Sequence, residues 1–228
     1  MNRTPLNRAA HSRAALHRAP WMVVALLTAS QPCFDGSPKA PSVISVCMAR
    51  TSQPRLAAEA RSLTSIMFQS VGVKLAWRDG LAGCDPQGIR IDVGEATSPS
   101  LFPGVLAWAM PYAGLHASDD RKPAPPFHIR VFFDRVQLMG DRLAPHLLAH
   151  VLTHELTHVL QGVNRHTSEG VMKARWTQND YTTMLHYRLT LTADDIDLLR
   201  RGIALRAERQ NEEALARNSE KARVSAGS

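Results

Sequence analysis

One segment restricts what this chain can fold into more than any other: Asp141 to Gly162, D-R-L-A-P-H-L-L-A-H-V-L-T-H-E-L-T-H-V-L-Q-G. Leu148, Leu152, Leu156 and Val159 recur at helical spacing and form an apolar stripe. Pro145 is tolerated only within a first turn, so the helix starts between Asp141 and Ala144, and Gly162 suits the left-handed residue that ends it. His154 and His158 then stand one turn apart on one face, near enough to bind a single metal ion.

These two histidines frame the motif His154-Glu155-Leu156-Thr157-His158, an H-E-x-x-H sequence. A neutral imidazole nitrogen suits zinc, and a pair on a rigid helix supplies two tetrahedral corners at little ordering cost. Glu155, beside the first ligand, can take a proton from an activated water and deliver it to a leaving amine. Five residues with three specified also occur in solvated helices. What favours the metal here is the amphipathic helix, the chain reversal at Gly162 and a further histidine, His166, placed to return as a third ligand with one position left open for water. His146 and His150 extend the histidine row, but each helical turn carries them about 40° round the axis, so they read as rim or supporting groups.

Upstream, the chain reads as strand, helix, strand, strand: Val43 to Met48, then a helix through Leu56, Ala60, Leu63 and Met67 ending near Gly72, then Val73 to Trp77 and Ile89 to Val93. Residues 95–126 are rich in Pro, Gly and Ser and read as surface loop with one strand near Val105 to Met110. His128 to Val136 reads as a further strand. After the histidines, Thr192 can cap a helix that has Asp194 and Asp195 in its first turn and Ile196, Leu199 and Ile203 on its apolar face. This is the pattern of an α/β fold of the α+β kind. Residues 208–228 are charged and poor in apolar groups, a solvated helical extension or tail.

The 228 residues carry 27 Lys+Arg against 20 Asp+Glu, a formal charge of +7 that raises the question of an anionic partner. Four of those charges, Arg3, Arg8, Arg13 and Arg18, precede the apolar run Trp21 to Ala29 and the first acidic residue, Asp35. Residues 1–30 therefore read as a secretory signal peptide or a basic N-terminal extension, and 31–41 as a flexible lead-in. Beyond them no basic and aromatic interleaving or reading module is visible, so no nucleic-acid partner is expected. No apolar stretch reaches the roughly 18 to 20 residues of a bilayer-spanning helix, which argues against stable membrane insertion. Of Cys33, Cys47 and Cys84, two could form one bridge; Cys47 with Cys84 is the first pairing to test, and two buried thiols are the alternative. Export would make the protein secreted or periplasmic.

The stretch HELTHVLQGVNRHTSEGVMKARW, residues 154–176, resembles the metzincin-type zinc peptidases, and more closely small bacterial matrixin-like peptidases of pattern H-E-x-G-H-x-L-L-G-x-x-x-H-S-x-x-G-x-M-x-A-x-W. The resemblance implies that His154, His158 and His166 are the zinc ligands, Glu155 the catalytic acid/base, and Met172 the methionine of the tight turn beneath the metal. It also implies a zincin fold over 42–207, a small twisted mixed sheet with an active-site helix and a C-terminal helix, and a peptide substrate lying along 128–133 as an edge strand. Gly162 and His166 follow His158 by four and eight residues, a longer return loop than the three and six usual in metzincins, and Thr157 stands where the bacterial pattern has glycine. The function so implied is zinc-dependent endopeptidase; the alternative is a zinc-binding protein of the same fold without proteolysis.

Overall fold

The computed structural model describes residues 42–98, 104–110 and 128–226. The N-terminal segments 1–30 and 31–41, and most of the loop 95–126, lie outside the described residues.

Strand β1 (Ser42–Met48) opens the domain and leads to helix α1 (Pro54–Gln69), whose first turn accommodates Pro54 because that position needs no amide donor. Ala57, Ala60, Thr64, Met67 and Phe68 make the buried face of α1 at steps of three and four. Gly72, at φ +84°, lets the chain turn into β2 (Val73–Asp79), where Val73 and Leu75 are buried and Lys74 and Ala76 are exposed. Then come β3 (Ile89–Gly94), the short β4 (Ala107–Ala109) and β5 (Ile129–Phe132). The five strands form one mixed sheet in the order β2-β1-β3-β5-β4, parallel except for the antiparallel pairing of β4 with β5.

Two expectations need correction. The sequence suggests one strand from His128 to Val136, but the strand stops at Phe132 and Phe133–Gln137 is a short helix, α2. Phe133 and Val136 are both fully buried, which is a helical step and not the alternation a strand would give. Asp134 accepts hydrogen bonds from the Thr97 backbone N–H and hydroxyl, both at 2.9 Å, and so ties this turn to the loop after β3. The second correction concerns the sheet edge. Segment 128–133 is not an edge strand, since β5 lies between β3 and β4; the edge beside it is β4.

Helix α3 (Ala144–Gln161) is buried nearly all round, more than an apolar stripe on one side would require. It packs on α1, reaches β4 and is covered by α4 (Gln178–His186) and α5 (Ala193–Ala226). Thr153 and Thr157, buried on α3, satisfy their hydroxyls by donating to the carbonyls one turn back, at 2.8 and 2.7 Å. Helix α5 approaches α3 through Gly202, where a Cβ would lie 2.0 Å from the Leu160 carbonyl oxygen. Cys47 on β1 is disulfide-bonded to Cys84 in the loop before β3. Among the described residues no helix is long and apolar enough to cross a membrane.

Candidate metal centre

Helix α3 ends at Gly162, at φ +69°, whose N–H donates to the His158 carbonyl at 3.0 Å. The chain folds back over the end of the helix and brings His166 to the two helical histidines. Its neighbour Arg165 pairs at 2.9 Å with Asp195, which is 1% exposed and also forms the reciprocal cap of α5 with Thr192. The first turn of α5 thus anchors the return loop. Met172 is fully buried, its carbonyl accepting from the Thr167 N–H at 2.9 Å.

One nitrogen or other ligand atom from each of His154, His158 and His166 lies within 4.8 Å of the others, a group that fits a metal ion. The hydrogen bonds orient the rings. His154 Nδ1 is 2.9 Å from the Val171 carbonyl and His158 Nδ1 is 3.1 Å from the Val163 carbonyl. A carbonyl can only accept, so both Nδ1 atoms carry hydrogen and both Nε2 atoms are left with bare lone pairs. Those two Nε2 atoms face each other at 3.0 Å. Two acceptors so placed repel unless a cation lies between them and a third donor, and the His166 ring stacks at 5.2 Å on that of His154. The donor set therefore fits zinc, with three neutral imidazoles and a remaining open side.

The same site is electrostatically prepared for neutral ligands. Burial pushes the pKa of His154 down to about 4, the Val171 hydrogen bond opposing in part, and burial lowers those of His158 and His166 as well. Glu155 moves the other way, with burial raising its carboxyl to about 8. A cleft of about 610 Å³ opens over the triad. It is lined by the stretch from Gly104 to Ala109, including β4, by Lys173 to Trp176 with Tyr181, and by Glu155 and the three histidines.

No protein-family model matches the chain, and no curated protein matches it. Among solved structures it is similar to archaemetzincin from Methanopyrus kandleri, at 14% identity and a TM-score of 0.47, over 73% of this chain and 98% of that one. It is also similar to myroilysin, at 13% identity and a TM-score of 0.34, over 68% of this chain and 70% of that one.

All four residues singled out from the sequence, His154, Glu155, His158 and His166, converge on the cleft. His150 does not, because both its ring nitrogens are engaged elsewhere, with the His146 carbonyl at 2.7 Å and the Leu189 N–H at 3.1 Å. Several contributors were not read from the sequence. Helix α4 is one, and its signal is present as Thr177 and Asp180, which cap each other reciprocally. Asp180 also binds Lys173 at 2.6 Å, so this helix fixes the cleft wall. Trp176 sets its ring edge-on to His154 at 5.8 Å. Asp195 reads in the sequence only as a first-turn acid, and nothing local to it announces Arg165.

Proposed function

We propose that this chain is a zinc-dependent metalloendopeptidase. The observation that carries the reading is the pair of Nε2 lone pairs directed at one another beside His166, lining an open cleft that also holds a carboxyl group. His154, His158 and His166 would hold the ion. Zinc bound there supplies a Lewis acid and brings the acidity of water near neutrality.

The remaining chemistry belongs to the chain's own groups. As carboxylate, Glu155 takes a proton from the water that attacks the peptide carbonyl; as carboxylic acid, it returns that proton to the departing amine nitrogen. Burial favours the protonated form of Glu155, which supports the second half of this cycle. An extended peptide would lie along the outer side of β4, within the cleft that Arg175 and Trp176 also line. A secreted or periplasmic location agrees with the Cys47–Cys84 disulfide, because such bonds persist in oxidising compartments.

An unbiased peptide library incubated with the zinc-loaded protein tests the reading. Cleavage at internal bonds, lost on chelation and restored by zinc, is the expected outcome. Tightly held zinc with no cleavage of any peptide would replace the peptidase by a zinc-binding protein without proteolysis.

A further inference from the structure

His150 lies one turn before His154 on α3 and is 1% exposed. Its Nδ1 faces the His146 carbonyl at 2.7 Å, so Nδ1 carries the hydrogen and Nε2 is an acceptor, filled by the Leu189 N–H at 3.1 Å. The next residue, Thr190, accepts at its carbonyl from the Val171 N–H at 2.9 Å. Val171 in turn accepts from His154 Nδ1 at 2.9 Å. Two histidines of one helix thus grip the two ends of a single main-chain ladder.

That ladder has no slack. At Gly170, φ +70°, a Cβ would lie 2.3 Å from the Thr190 carbonyl oxygen, so the two segments meet backbone to backbone. Trp176 closes the remaining side, with its ring edge-on to His150 at 6.4 Å and to His154 at 5.8 Å. A displacement of Leu189 would therefore be passed to the Val171 carbonyl, which decides which nitrogen of His154 is bare.

We infer that His150 is a positioning residue for the metal ligand His154, acting through the main chain of Leu189, Thr190 and Val171. The inference deepens the proposed metal centre and rests on it. It assigns His150 a role in fixing the His154 tautomer, with Nδ1 protonated and Nε2 directed at the ion, although His150 touches no ion itself.

The substitutions His150→Gln, His150→Asn and His150→Leu test it, because Gln carries an amide to the place of Nε2, Asn reaches only the place of Nδ1, and Leu offers neither. Zinc affinity is measured by chelator competition, and the His154 tautomer by imidazole 15N shifts of the metal-free protein. The Asn and Leu variants should lose about 10- to 100-fold in zinc affinity and show mixed His154 tautomers. The Gln variant should stay within about three-fold of wild type and keep Nδ1 protonated, with the acceptor restored. A general packing defect would lower stability without sorting the variants in this way. Should the Leu variant fail to fold, Asn against Gln decides: equal affinities and the same tautomer in both would overturn the inference. So would an Asn or Leu variant that binds zinc as wild type does. A wild type that binds no zinc would overturn the metal centre and the ligand role of His154 with it; the tautomer measurement, made without metal, distinguishes that failure from failure of the ladder.

Discussion

His154 is both deprotonated and aimed because it is buried under a carbonyl that accepts its other ring hydrogen, and the same burial governs how single residues respond to pH. His128, His150 and His154 are all held near 4 by burial, with Arg206 and Arg90 adding to it at His128, while at His150 the hydrogen bond to the His146 carbonyl opposes it and Arg188 adds to it. Each has a folded pKa below its unfolded value of 6.5, so the unfolded chain takes up protons first as pH falls. Their contribution to stability is present above about 6.5 and is lost toward 4, by up to about 1.4 kcal/mol per pH unit for each histidine. Glu155 opposes this, since its raised folded pKa makes it stabilising below 4.5 and costs stability as pH rises toward 8. These histidines, with His158 and His166 lowered in the same direction, outnumber one carboxyl, so urea unfolding of the metal-free protein should show stability falling between pH 6.5 and 4.5. The fall should steepen in Glu155→Gln, which removes the opposing group; a shallower fall would contradict these assignments.

At the scale of elements, the site depends on how closely α5 can approach α3. On propensity alone, Gly202→Ala should stabilise an exposed helix interior by about 1 kcal/mol. Here the added Cβ would meet the Leu160 carbonyl at 2.0 Å, two residues beyond His158, so the expected sign reverses. Chemical denaturation should show a loss of about 1–3 kcal/mol, the usual cost of overpacking; an unchanged or raised midpoint would mean that the helices part freely. The sequence made α3 legible because Pro145, Gly162 and the apolar spacing are local signals, and the histidine register follows from them. The turn at Phe133 was not legible, because Phe132 and Phe133 are both buried and two adjacent buried aromatics fit a strand as well as a helix start. Nor was the Leu189 grip of His150, which joins positions 39 residues apart.

For the whole molecule, the order of strands decides where a substrate could lie, and that order is a long-range property no single segment carries. The parallel strands β1, β3 and β5 occupy the middle, so the short β4 is left at the edge, over the histidines. The other end of the fold is tied by the Cys47–Cys84 bond, which closes a loop across a separation of 37 residues. In the chain-entropy account such a closure is worth about 4 kcal/mol. Cys84→Ser should therefore lose stability on that order in thermal unfolding while leaving zinc affinity unchanged, because the bond lies outside the cleft. The assignment of the cleft itself is decided by peptide hydrolysis by wild type and Glu155→Gln at matched zinc content. Both should bind one zinc per chain, and the variant should lose at least about 10²-fold in rate, the usual contribution of a positioned acid/base. Hydrolysis by the variant at the wild-type rate would contradict the role given to Glu155 and the peptidase chemistry built on it.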